Sequence, residues 1–337
     1  MNKSGKILII GILIFLLAIS PIFSQTPEFK FDIDQIVDPL KTFSGSMATA
    51  LPFNSTLGLN WSDAYIGQLL ALPPHFGIGF TIGATTIGND LSVLDPLLEI
   101  LGMEGGVGGL LGDFPNIGFP LPSVMLEARV GGIILPFDIG VKYMNLSQFG
   151  LDNMISGFLG GINFEYELIG ADLRYSIFSP GAFINISAGV GVNHLRGGVG
   201  INFTDGVNFE GVSVTTNASA GLFWETTMIE AKAQVSFPLF IITPYVGIGA
   251  GYSWSKVGFE VKGDVTAEGE LAGLIEEAGL LPSIGDSIRA YEEVNGWNFR
   301  LYGGLSLNLF IIRFDVTGMY NLSDGSLGAS VGIRLQL

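Results

Sequence analysis

Apolar and polar residues alternate at every second position through most of this chain, and few patterns restrict a fold so tightly. At the C-terminal end Leu327, Ala329, Val331, Ile333, Leu335 and Leu337 are apolar, with Gly328, Ser330, Gly332, Arg334 and Gln336 between them. The same period governs 76–82, 124–130, 137–143, 229–237, 297–307 and 312–316. Successive side chains of a strand point to opposite faces. One face of each segment is therefore consistently apolar, and the other carries glycine, serine, threonine, asparagine and isolated charges.

Two folds use such strands: a soluble sandwich and a closed barrel in lipid. The polar face decides between them. A sandwich covers its outer face with lysine and glutamate, whereas here only 14% of residues are charged and 49 are glycine. Mean hydropathy is high, at +0.51. Several alternating runs reach the ~9–11 residues a strand needs to cross the hydrocarbon. The pattern predicts an all-β transmembrane antiparallel up-and-down barrel.

The ends of the chain agree. Lys3 and Lys6 precede an apolar run over 7–18, which reads as a secretory signal peptide covering 1–24. After residue 24 no uncharged apolar run is long enough for a spanning helix. Cysteine is absent, which excludes disulfides and thiolate metal sites. The net charge of −16 argues against nucleic acid as a partner. No cofactor or metal site is expected.

The expected strands are 42–52, 56–68, 75–88, 122–133, 136–147, 160–177, 182–203, 210–237, 241–262, 291–308, 310–321 and 326–337, about twelve in all. The apolar parity flips inside 160–177, 182–203 and 210–237, and the expected cause is a β-bulge in each. Residues 25–41 read as a periplasmic or lumenal segment and 42–337 as the barrel. As an alternative, 42–52 lies inside the barrel as part of a plug. Short connections near 72–76, 135–138, 178–183, 237–244 and 309–313 alternate with longer ones at 88–121, 147–160, 203–210, 263–291 and 321–326. Short turns belong on the periplasmic side. Short helices are expected in the outer loops, over 90–102 and 267–288.

A charge facing lipid near the midplane costs ~2–4 kcal/mol for Arg or Lys, so strand charges belong inside. The expected lumen-lining set is Glu127, Arg129, Asp138, Lys142, Glu165, Glu167, Asp172, Arg174, Glu230, Lys232, Arg300, Arg313, Asp315 and Arg334. Both signs are present, which favours a paired network over a single-sign filter. Trp61, Tyr65, Tyr175, Trp254, Trp297 and Tyr320 suit interfacial girdles. The two histidines, His75 and His194, have no partner pattern that makes either catalytic, and no enzyme is expected.

On this pattern the mature chain resembles the bacterial outer-membrane β-barrel class, and its Leu-rich outer loops and N-terminal segment look like the fatty-acid-transporter type. The last strand of that class usually ends in an aromatic residue, whereas Leu337 stands here. The resemblance implies an outer-membrane location, with membrane lipid and the barrel-insertion machinery as partners. The function expected is passage of a small or hydrophobic solute. The alternatives are a surface-exposed structural or adhesin barrel and, last, a barrel lipid hydrolase.

Overall fold

The computed structural model describes residues 34–64, 66, 75–87, 119–131, 136–150, 163–178, 183–209, 212–268 and 288–337. A helix, α1 (Asp34–Ser55), precedes ten strands: β1 (His75–Ile87), β2 (Phe119–Gly131), β3 (Phe137–Asn145), β4 (Asn163–Phe178) and β5 (Asn185–Phe209), then β6 (Val212–Ser236), β7 (Ile242–Glu268), β8 (Ile288–Leu309), β9 (Ile312–Asn321) and β10 (Leu327–Gln336). Each strand pairs antiparallel with its neighbour in sequence, and β1 pairs with β10 to close the barrel. Closure removes the sheet edges, which lipid cannot hydrogen-bond. The expected signal peptide and the expected helices at 90–102 and 267–288 lie wholly or mostly outside the described residues; Ala267 and Glu268 end β7.

The twelve-strand expectation is corrected to ten. The segment 42–52 is helical, and 56–64 is unpaired chain inside the barrel. Phe43, Met47 and Leu51 are four residues apart, an even number and also about one helical turn, so they satisfy both periods. Ala48 and Ala50, strong helix formers, lie between them and are buried with Met47 and Leu51. Leu57, Leu59 and Trp61 alternate as a strand would, but Gly58 and Leu59 both have positive φ, 80° and 54°, which breaks a strand.

The strands differ greatly in length. β3, β9 and β10 have 9, 10 and 10 residues, close to the minimum crossing. β5, β6, β7 and β8 have 25, 25, 27 and 22. One side of the barrel therefore stands on the order of 30 Å above the membrane. The excess lies at the end opposite the two-residue turns 240–241 and 310–311, and so on the outer side. α1 packs against β5–β8 and β1, along this tall wall.

The tall wall also explains the parity flips. The β5–β6 register runs unbroken from Asn185↔Ser236 to Phe209↔Val212, with no bulge. β4 keeps even-numbered residues inside from Tyr166 to Ser176, and its one register shift against β5 falls at Ser176/Phe178. Within the membrane these strands are apolar outside and polar inside. Above it the outside meets water, while Leu168, Leu195, Trp224 and Val257 pack inward in one cluster with Met47, Leu51 and Phe53 of α1. Polarity inverts although the backbone does not change register.

Candidate functional site: the plugged lumen

The chain enters the lumen from the outer side. Asn54 Nδ2 donates to Thr85 Oγ1 and to the Leu121 carbonyl, both at 3.0 Å, near the outer ends of β1 and β2. Twelve positions later the Ile66 amide donates to Asp138 Oδ2 at 2.9 Å, at the short-turn end of β3. Between these points 55–63 passes down the axis. Lys41 and Thr42, nearer the start of the helix, are exposed, whereas 50–64 is buried.

The wall holds this descending segment by its backbone. Lys142 Nζ donates to the carbonyls of Ser55 (2.6 Å) and Leu57 (2.7 Å). The Leu59 carbonyl accepts from Arg129 (3.2 Å) and Lys232 (3.1 Å). The Trp61 carbonyl accepts from Arg174 (3.0 Å) and Gln234 (2.9 Å). Four carbonyls two residues apart are thus each met by side-chain donors of the wall. Ser55 is also the last residue of α1, where unpaired carbonyls and the negative end of the helix dipole attract a cation.

Two side chains complete the attachment. Asp63 lies between Arg313 (2.5 Å) and Arg334 (2.8 Å), and Arg334 also pairs with Asp315 at 2.7 Å. Trp61 donates its indole N–H to Glu127, and the Arg129 and Arg334 guanidiniums lie 5.4 and 4.5 Å from the centre of its ring. The glycines of β1 make room for it: a Cβ on Gly77 would stand 2.8 Å from the Trp61 ring. Gly58 is required twice over, by its φ of +80° and by Met125 and Glu127, whose side chains occupy the place of a Cβ. Around the segment the wall charges pair with one another: Arg129 with Asp138 and Asp172, Arg174 with Asp138, Lys232 with Asp172, and Arg300 with Glu230.

Twelve of the fourteen charges expected inside thus belong to the lumen network, among them Glu127. Glu165 and Glu167 do not; they are on the outward parity of β4. Glu165 is exposed, and Glu167 pairs with outward Arg196 at 2.6 Å. They carry no lipid penalty because they stand above Ile169, the last strongly exposed apolar residue of that strand. Trp61 is a plug residue, not a girdle residue. Trp254, Trp297 and Tyr320 do face outward, at 46%, 63% and 43% exposure, and Tyr252 stacks edge-on with both tryptophans. Tyr65 lies outside the described residues.

Sequence reading missed Asp63, because nothing in "NWSDAY" (60–65) marks its aspartate as the counter-ion of two strands some 250 residues away. The two histidines stand on opposite faces of the wall. His75 is buried in the lumen wall, and its Nδ1 has no hydrogen-bond partner among the described residues. His194 faces outward, with Nδ1 2.9 Å from Thr227 Oγ1 and Nε2 3.9 Å from Glu225. The amides around it are those of β5 and β6.

No protein-family model and no curated protein matches the chain. Among solved structures it is similar to the translocator domain of the autotransporter NalP from Neisseria meningitidis, at 8% identity over 88% of this chain and 98% of that one, with a TM-score of 0.40. It is also similar to Ail, the attachment invasion locus protein of Yersinia pestis, at 10% identity, 78% and 97% coverage and a TM-score of 0.26. A third is the CymD monoaromatic hydrocarbon channel, at 10% identity, 88% and 96% coverage and a TM-score of 0.23. At these identities and TM-scores the likenesses carry no argument of their own. The closed wall and its lipid-facing apolar band make the chain a bacterial outer-membrane β-barrel.

Proposed function

We propose that this outer-membrane barrel is a gated one, closed at rest, and that it passes a small or hydrophobic solute when 55–63 is drawn out of the lumen. The observation that carries this reading is the way the plug is held. Hydrogen bonds to carbonyls, the Trp61 indole on Glu127 and one ion-paired carboxylate attach a separate segment to the wall, with no strand pairing among the described residues, so the segment can leave while the barrel stays closed on itself. The fatty-acid-transporter type of barrel is the functional type we favour, supported by the Leu-rich sequence between β1 and β2. Among the described residues, the surroundings of His75 and His194 lend an enzymatic role no support.

A second reading, a surface structural or adhesin barrel, is favoured by the tall β5–β8 wall, whose outward face above the aromatic belt carries Glu225, Lys256, Arg289 and Glu293. Reconstituted liposomes separate the two. The wild-type protein is expected to pass a labelled fatty acid or a small sugar slowly, and Asp63→Ala is expected to raise uptake of at least one of them. If the plug leaves in that variant and neither solute enters faster, transport is refuted and the surface reading stands.

A further inference from the structure

The periplasmic end of the barrel is apolar where a turn in water is polar. Phe240 and Phe310, at the tips of the β6–β7 and β8–β9 hairpins, are 99% and 91% exposed. Both tips have the same four residues, Leu239-Phe240-Ile241-Ile242 and Leu309-Phe310-Ile311-Ile312. In both the phenylalanine has positive φ, 54° and 56°. That first central position of a two-residue hairpin loop strongly favours glycine, since a side chain there is strained. The two tips are neighbours, because β7 pairs with β8, and the Asn308 amide donates to the Ile241 carbonyl at 2.7 Å.

We infer that these two hairpin tips are lipid anchors, seated in the headgroup boundary of the periplasmic phospholipid leaflet. Continuity with the lipid-facing wall is the first support. Neither 235–245 nor 301–312 contains a charged residue, and Val246, Leu305 and Leu307 carry the apolar surface from the wall into the tips. The second is the rest of the rim. Phe76, Phe137, Phe178 and Phe183 are exposed at the same end, on β1, at the start of β3, at the end of β4 and in the β4–β5 connection. A protein partner would cover one sector, whereas lipid surrounds the whole rim.

Height is the third support. Along β8 the apolar face runs from Trp297 to Phe310, about 34 Å at the usual rise and tilt. The apolar band of such barrels is about 25 Å tall. With the tryptophans at the outer interface, the tips project several ångströms past the hydrocarbon, and the headgroup layer on each side is of about that thickness. Aromatic side chains favour this zone.

The absence of cysteine makes a direct test possible. Phe240→Cys and Phe310→Cys are labelled with a fluorophore in the full chain, refolded in phosphatidylcholine–phosphatidylglycerol liposomes, with a label at exposed Ser323 in the outer β9–β10 turn as reference. Leu239→Cys, in the regular bridge beside the strained position, serves if a tip variant folds poorly. The expected result is strong quenching by lipids spin-labelled near the headgroup, and severalfold less quenching by a water-soluble nickel chelate than at Ser323. Chelate quenching equal to that at Ser323 overturns the inference. So does protection found only in native outer-membrane vesicles and absent from the pure liposomes, which would assign the tips to a protein partner.

Discussion

Asp63→Ala tests the plug at its most exacting contact. The substitution removes the carboxylate between Arg313 and Arg334. Arg334 keeps Asp315, but among the described residues no other ion pair to Arg313 is seen. Removing one partner of a buried ion pair costs ~3–5 kcal/mol, because the other charge is left uncompensated. The remaining partner of Arg334 argues for the lower part of that range. At 1.4 kcal/mol per factor of ten, the equilibrium for plug withdrawal then shifts by roughly 100- to 1,000-fold. Ser55→Cys reports it: Ser55 is fully buried and lies eight positions from the substitution, and the chain has no other thiol. Its modification by a membrane-impermeant reagent requires the plug to move, and when reclosing is fast the rate follows the open fraction. Asp63→Ala is expected to accelerate labelling by about two orders of magnitude, and adding Arg313→Met should reverse most of the gain. A rate within twofold of the parent, in protein that keeps its folded electrophoretic mobility, refutes the latch.

Three further outcomes follow from the same contacts. Lys142→Met leaves the Ser55 and Leu57 carbonyls without that donor, at ~1–3 kcal/mol for each group that stays unsatisfied, and should lower the thermal midpoint in detergent. Gly77→Ala forces the Trp61 ring to move, at ~1–3 kcal/mol, and should alter the near-ultraviolet circular dichroism without changing the far-ultraviolet spectrum. Ile248→Arg puts a charge on the lipid face at a position now 59% exposed, costs ~2–4 kcal/mol near the midplane, and should cut refolding yield in liposomes. Glu293→Arg, above the belt on neighbouring β8, should leave the yield unchanged.

The barrel was legible because lipid and lumen impose opposite demands on alternate residues, and each of the ten strands carries that demand openly. The plug was less legible for two reasons. Phe43, Met47 and Leu51 fit either period, and Leu57, Leu59 and Trp61 alternate although their backbone turns at Gly58 and Leu59 and lies outside the sheet. The parity flips were visible in the sequence but had two physical causes. A bulge turns the backbone over; leaving the membrane turns the surroundings over. Glu167 and Arg196 distinguish them, because oppositely charged residues on facing positions of the outward side of β4 and β5 imply water outside, whereas a bulge would have put them within. Asp63 could not be read at all, since its meaning lies wholly in long-range pairing.

The lumen wall and the plug are also electrostatic complements, and this has a measurable consequence. Among the described residues, those that surround 55–63 include seven cations, Arg129, Lys142, Arg174, Lys232, Arg300, Arg313 and Arg334, and five carboxylates, Glu127, Asp138, Asp172, Glu230 and Asp315. The wall around the plug is therefore positive by two. Asp63 supplies one negative charge, and the carbonyls of Ser55, Leu57, Leu59 and Trp61, with the C-terminal end of the α1 dipole, answer the remaining excess. Once the plug leaves, those donors line an open pore. The opened Asp63→Ala barrel should therefore favour chloride over potassium in planar bilayers under a salt gradient. The preference should fade toward 1 M salt, where the screening length falls to ~3 Å. A potassium preference at low salt would mean that the cations remain neutralised within the wall, and that the plug is held by shape and not by charge.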